Sequence, residues 1–312
     1  MCYKIKLLIM IFLLSGVALF MSGCPGPAEK PEGKMGKEPT ISLYVVDMGE
    51  TKENKMEEYL QGVIAAEMDT DWPKEALGAQ AIVARTFTLK KIEEGGAEKR
   101  GTDASTSHEE FQAYDAEKIN DAVRQAVKET RGEVIRYQQK NINAWFHADA
   151  GGRTAATPEE GGLEAKEETP YIKSVDDPGF EITTPENKSW TVQFPLEEIR
   201  RVVQEAVGMD PGNFTSAEIV EKGPSGRALK IKIGDAEVSG ASLRLGLGAE
   251  KMRSTLIEEL KVEGGSLVIK GKGFGHGVGM SQWGARAMAE NGKSAEEIVK
   301  YFFKNIEINK AW

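Results

Sequence analysis

Cysteine and histidine are scarce in this 312-residue chain, which has two of the first and three of the second. Cys2 lies in the opening apolar stretch, Cys24 stands directly after it, and none follows. The body therefore has no disulfide framework, no cysteine nucleophile and no cysteine-rich zinc site. A basic stripe interleaved with aromatics is also missing. Aromatics make up 7% of residues and the net charge is −9, which argues against non-specific nucleic-acid binding. No internal repeat is evident. Apolar residues at 40% and charged residues at 29% fit a folded globular body, long enough for one large domain or two small ones.

The long apolar run is at the N-terminus. Lys4 and Lys6 precede apolar residues 7–20, and Met21-Ser22-Gly23-Cys24 follows. A positive region, an apolar core and small residues before a cysteine resemble a bacterial lipoprotein signal. The expectation is a signal peptide over residues 1–23 and lipidation of Cys24, which places the body outside the cytoplasmic membrane on a membrane lipid anchor. Residues 24–40, rich in Pro, Gly, Lys and Glu, read as a flexible tether.

In the body, residues 41–48 alternate as a strand and residues 55–68 read as a helix. Asp69, Thr70 and Asp71 offer capping oxygens. Pro73 suits the first turn of a second helix, which runs to about residue 94 and stops at Gly95-Gly96. A further helix is expected near 118–130. A strand pair is expected over 133–138 and 143–147, around a turn at Lys140-Asn141. Residues 155–190 are acidic and carry four prolines, and read as a long surface loop, a candidate substrate-facing insertion. Helices are expected over 195–207, 281–290 and 295–303. Short strands at 217–221, 229–233 and 266–270, with a helical piece at 241–247, complete the list. The fold class is α+β, with helices packed on mainly antiparallel strands.

The first helix carries an anomaly. Leu60, Val63 and Ile64 precede Glu67 by seven, four and three residues, spacings that share one helical face. Glu67 thus ends an apolar stripe, where a carboxylate is either paired or put to use. Desolvation there raises its pKa and suits it to act as a general acid. In the second helix Gln80 and Arg85 fall on partly buried faces, as framework hydrogen-bonders or as site groups. All three histidines, His108, His147 and His276, lie in polar loops or beside glycine turns, which tilts them toward a site.

The second dense stretch has glycine at every other position from 271 to 279, around His276, and then Met280-Ser281-Gln282-Trp283-Gly284-Ala285. Such a segment allows unusual backbone angles and close approach. Its G-x-G-x-G-x-G spacing is not that of a dinucleotide fingerprint. Gly292-Lys293-Ser294 lacks the glycine a phosphate loop needs five residues earlier, where Ala287 stands.

These stretches resemble a known family. Residues 57–68, Trp72-Pro73-Lys74-Glu75-Ala76-Leu77-Gly78-Ala79-Gln80-Ala81 and Ala84-Arg85-Thr86-Phe87 look like the signature of the stage II sporulation protein D (SpoIID/LytB) family. Phe146-His147 with Gly151-Gly152-Arg153-Thr154, Leu245-Gly246-Leu247 with Arg253-Ser254-Thr255, and Gly273 to Ala285 resemble its later motifs. The likeness covers roughly residues 41–308. It implies a peptidoglycan lytic transglycosylase that cleaves between N-acetylmuramic acid and N-acetylglucosamine in peptide-stripped strands and leaves 1,6-anhydro ends, with Glu67 as catalytic acid/base. His147, His276, Ser281, Gln282, Gln80 and Arg85 are the candidates for binding sugar or orienting Glu67. Some members bind zinc through cysteines beside histidines like His108 and His147. Glu109 and Ala150 stand in those places here, so no cofactor is expected. The family's Glu-Met-Pro is Glu67-Met68-Asp69 here. Asp69 and Asp71 are near enough in sequence to supply a second carboxylate for hydrolysis. The rival expectation, from the same resemblance, is a non-catalytic enhancer of an N-acetylmuramoyl-L-alanine amidase. Expected partners are glycan strands, the membrane and an amidase, not nucleic acid.

Overall fold

Residues 36–312 are described by the structure, a computed structural model. The expected signal peptide, Cys24 and the tether up to residue 35 lie outside the described residues. The end of the tether is docked rather than free. Gly36 N–H donates to Ala311 O (2.7 Å), and Glu38 accepts from Glu57 N–H (3.1 Å) and pairs with Arg131.

The strands are β1 (Thr40–Val45), β2 (Glu50–Lys55), β3 (Ala104–Ser105), β4 (Glu133–Tyr137), β5 (Lys140–Asn141), β6 (Phe146–His147) and β7 (Trp190–Pro195). They continue with β8 (Ala217–Lys222), β9 (Ala228–Ile233), β10 (Ala236–Ser239), β11 (Ile257–Glu263), β12 (Ser266–Gly271), β13 (Met280–Ser281) and β14 (Glu307–Lys310). The helices are α1 (Met56–Glu67), α2 (Lys74–Glu93), α3 (Asp121–Glu129), α4 (Gly179–Ile182), α5 (Pro185–Lys188), α6 (Leu196–Val207), α7 (Gly240–Leu247), α8 (Gln282–Glu290) and α9 (Ala295–Phe302). The class is α+β, as the sequence indicates. Small sheets run in the orders β2-β1-β3, β10-β9-β8, β11-β12-β7 and β14-β4-β5, with β13-β6 as a separate pair. Pairing is antiparallel except for β1 with β3 and β6 with β13.

Two apolar cores form among the described residues. One surrounds α1 and α2 and draws on α3, α8, α9 and β14. The other is built from residues 190–269, with Phe194, Ile199, Val203, Ile231 and Leu267 at its centre. Helix α2 is buried along most of its length, so its small residues serve close packing. A Cβ at Gly78 would already touch both Ala295 and Thr130 at 3.3 Å, which leaves α3 and α9 no room to stand further in. The turn before α2 differs from the expectation. Pro73 occupies the cap position with no side-chain cap bond, and Asp69 Oδ1 accepts Asp71 N–H (3.0 Å), closing its own turn instead.

Two further expectations are corrected. Residues 143–147 do not fold back on β4. β4 pairs with β5 and β14, while Phe146 and His147 pair in parallel with Met280 and Ser281. A two-residue strand has no periodicity from which to read its partner. Residues 155–190 are not a loose surface loop. They contain a 3-10 turn (Pro158–Gly161), α4 and α5, and they bury Glu160, Tyr171, Ile172, Asp177, Thr183 and Asn187. Their acidic composition masked buried carboxylates that hold backbone N–H groups.

The parallel pair β6–β13 depends on the glycine run. Gly279 has φ +75°, and a Cβ there would overlap the carbonyl oxygen of Trp145. Because the obstruction is backbone, it cannot swing away. Gly279→Ala is expected to cost about 2–3 kcal/mol in urea unfolding, through strain and a displaced β13. An unfolding midpoint equal to the parent's would refute this.

Candidate active site

Glu67 is the last residue of α1 and is half-buried. Leu60, Val63 and Ile64 on the same face are fully buried, so the stripe inferred from spacing is real and Glu67 stands at its rim. Its carboxylate Oε1 accepts Ala113 N–H at 2.9 Å. That donor is in place because Gly62, one turn back, has no side chain. The Tyr114 ring lies where a Cβ would be, and Asp115 N–H donates to Gly62 O (2.9 Å). Burial is the largest influence on Glu67 and raises its pKa. The Ala113 N–H, the nearby Gln282 amide and His108 oppose this in that order. The C-terminal end of α1, where the helix dipole is negative, acts in the same sense as burial. No ion pair holds Glu67 among the described residues. Asp69 and Asp71 are both exposed.

Gln282 opens α8 and is buried, with its Nε2 lacking an ordinary hydrogen-bond partner among the described residues. It is set by the residue before it. Ser281 caps α8 by accepting Gly284 N–H (3.1 Å) and donates to Asp177 Oδ2 (2.7 Å). Asp177 also accepts Ala150 N–H and Gly179 N–H, both at 3.0 Å. Ser281 is thus a buried fixing point for α8, and Asp177, overlooked in the sequence, ties three segments together. Its one local signal is an aspartate beginning an Asp-Pro-Gly turn.

The two later histidines meet. His147 and His276 have ring centroids 5.5 Å apart. His147 is buried, with Nδ1 3.2 Å from Val278 O, so that nitrogen carries the proton and Nε2 has no partner among the described residues. His276 Nδ1 accepts Val278 N–H at 3.1 Å. Burial pushes both rings to low pKa, His147 well below its ordinary value and His276 to about 3, with Arg227 adding to each and Arg244 to His276. Arg227, also overlooked in the sequence, is buried and donates to the carbonyls of Ala150 (2.9 Å) and Arg153 (3.0 Å). It thereby clamps the glycine turn after His147. Asp149 in that turn is pushed up to about 6, chiefly by burial.

These shifts have opposite signs in stability. The unfolded histidines bind protons from about pH 6.5 downward while the folded ones do not, so their contribution is complete above that pH and is lost as pH falls toward 3. Asp149 works the other way and is costlier as pH rises from about 4 through 6. The expected result is that His276→Gln flattens the loss of unfolding midpoint between pH 6.5 and 4, whereas Asp149→Asn steepens it. Parallel midpoint-versus-pH curves for parent and His276→Gln would refute the assignment.

The other candidates are placed differently. Arg85 is fully buried and paired with Glu57 (Nη2–Oε2 2.7 Å, Nε–Oε1 3.1 Å), and Glu57 also accepts Trp312 Nε1–H and Gly132 N–H. That placement leaves it no face toward a sugar. Gln80 is fully buried, with both amide atoms unpartnered among the described residues. It lies on the α2 face that carries Phe87, whose ring meets Phe111 and Phe146. His108 is exposed. The zinc pattern does not fit these residues. Ala150 offers no donor atom, and no group of three or more His, Cys, Asp or Glu stands ready for a metal among the described residues.

A cluster that the sequence motifs contained without revealing joins residues close in sequence to Glu67 and to Gln282. Trp72 follows Glu67 by one turn of chain and Trp283 follows Gln282. Their rings are 4.8 Å apart, tilted by 59°. The Arg286 guanidinium lies 5.2 Å from the first ring and 5.0 Å from the second. All three residues are half-buried.

Comparison with known proteins adds the following. Residues 45–137 match the family described as SpoIID, stage II sporulation protein, and residues 164–279 match a domain family of unknown function. The chain is 31% identical over 296 residues to a stage II sporulation protein D of Bacillus amyloliquefaciens, covering 88% of this chain and 82% of that one. It is 34% identical over 257 residues to an uncharacterised protein of Brachyspira hyodysenteriae, covering 82% and 67%. It is 30% identical over 288 residues to an amidase enhancer of Bacillus subtilis, covering 78% of this chain and 39% of that protein.

Proposed function

This chain belongs to the stage II sporulation protein D family, and from that premise we propose that it is a lytic transglycosylase acting on the glycan strands of peptidoglycan. The observation that carries the proposal is Glu67: a half-buried carboxyl with a raised pKa, no ion-pair partner among the described residues, and the Ala113 N–H donating to it. Protonated Glu67 gives its proton to the glycosidic oxygen between N-acetylmuramic acid and N-acetylglucosamine. The C1–O bond breaks as the muramic C6 hydroxyl attacks C1. Glu67, now a carboxylate steadied by the Ala113 N–H, takes the hydroxyl proton, which regenerates the acid and leaves a 1,6-anhydro end. One carboxyl serves both steps.

The setting follows from the same reading: cell-wall remodelling in sporulation, outside the cytoplasmic membrane, with Cys24 lipidated. The test is to digest peptide-free glycan strands with the purified protein and identify the ends by mass spectrometry. Anhydro ends support the proposal, whereas reducing ends would make the protein a hydrolase.

A second reading has its own support in the similarity to an amidase enhancer. In that reading the protein stimulates an N-acetylmuramoyl-L-alanine amidase and cuts nothing itself. Amidase stimulation that survives Glu67→Gln, without glycan cleavage by the protein alone, would favour it.

A further inference from the structure

We propose that Gln112 is a positioning residue for Glu67: it anchors a strap of chain, residues 111–115, that holds the Ala113 N–H against the carboxyl group; its part in cleavage rests on the glycan reading given above. The strap has no helix or strand of its own, so no backbone ladder fixes it. The N–H that Glu67 Oε1 accepts at 2.9 Å belongs to the peptide unit joining Gln112 to Ala113. That unit is planar, so where Gln112 is held sets where the N–H points.

Gln112 is buried and bridges α1 and α2. Its Nε2 donates to Thr88 Oγ1 on α2 (2.9 Å) and to the Tyr59 hydroxyl on α1 (3.2 Å). The Thr88 hydroxyl spends its hydrogen on Ala84 O (2.8 Å), so toward Gln112 it can only accept, which fixes the amide with its nitrogen on that side. Before Ala113, the Phe111 ring meets Phe87 edge-on, 5.8 Å between centroids. After it, the Tyr114 ring stacks on Tyr59 at 6.0 Å, and Asp115 N–H donates to Gly62 O (2.9 Å). The strap is thus tied to α2 on one side of Ala113 and to α1 on the other, and Gln112 reaches both. Two titratable groups lie near Glu67. His108 is exposed, and burial pushes the Tyr59 phenol up, so it keeps its proton while a carboxyl titrates. The Ala113 N–H is the strongest influence opposing burial at Glu67, so loosening the strap raises that carboxyl's pKa further.

The test is an NMR titration of the full chain in detergent with isotope-labelled glutamate carboxyls, the Glu67 signal being the one that Glu67→Gln lacks. A His108→Gln background keeps a displaced imidazole from causing any shift. Gln112→Met, similar in length but without donors, is expected to move the Glu67 midpoint up by about one pH unit, the effect of losing one N–H bond to a carboxylate. Thr88→Val, which removes the hydroxyl that Gln112 grips, should move it the same way, and Thr88→Ser, which keeps a hydroxyl there, should not. In glycan cleavage, Gln112→Met should lower kcat about tenfold with KM unchanged and carry the alkaline limb upward with that midpoint. An unchanged Glu67 midpoint in Gln112→Met, or in Thr88→Val where the first variant does not fold, overturns the positioning role whatever the cleavage assay gives. A shifted midpoint in the variants, with no glycan cut by the parent protein, upholds the positioning role and overturns the glycan reading.

Discussion

Glu67→Gln is expected to lower glycan cleavage by about a thousandfold in kcat, within the range by which a positioned acid/base accelerates proton transfer. Gln keeps the size of the side chain and can still accept the Ala113 N–H, so KM should change little. That split separates the loss of a proton carrier from the loss of a fold. The pH dependence is the second signature. The pKa of Glu67 is raised, mainly by burial, so the acid form needed for the first step survives to a higher pH than an ordinary carboxyl allows. Cleavage should fall as pH rises through that value, and Glu67→Gln should erase that limb. Parental stability should fall over the same rise in pH. A carboxyl whose pKa is raised by folding contributes fully below its unfolded pKa and loses that contribution as pH rises through its folded one. The variant should therefore unfold at equal or higher urea than the parent at neutral pH. A Gln variant that still cleaves glycan at the parental rate would remove Glu67 from the mechanism.

Arg85→Met is expected to cost about 3–5 kcal/mol, the usual consequence of leaving one member of a buried ion pair uncompensated. Glu57 would keep only the Trp312 indole and the Gly132 N–H, both neutral donors. The pair joins the start of α1 to the middle of α2 and, through Trp312, to the end of the chain, so its loss should loosen the frame around Glu67. Glu57→Leu combined with Arg85→Met should be less damaging than the two single changes added together, because the double variant buries no lone charge. Urea unfolding of the four proteins measures this. If Arg85→Met keeps parental stability while KM for glycan rises, Arg85 contacts substrate and the structural assignment is wrong.

Arg85 also shows where sequence reasoning divides. Its place on a partly buried helical face was legible, and so were two possible roles. The choice between them depends on Glu57, 28 residues away, and on Trp312 at the far end of the chain. The same holds for Ser281, Gln282 and His147. The motif marks them, yet only the pairing of β6 with β13 brings His147 beside Ser281 at the start of α8. Asp177 and Arg227 were invisible for a related reason. An aspartate in an acidic, proline-rich segment and an arginine beside a strand look like surface residues until their backbone partners are seen.

By itself the sequence determined what is local: the helices, the apolar stripe that ends in Glu67, the glycine run and the family likeness. Those properties come from periodicity and from residue types within a few turns of chain. The tertiary structure alone decided that residues 155–190 are packed, that β6 lies beside β13, that Arg85 is locked to Glu57, and that Trp72, Trp283 and Arg286 share one surface. Each of those is a contact between distant segments, fixed by which buried polar groups can be satisfied at once and by which glycines let two backbones touch.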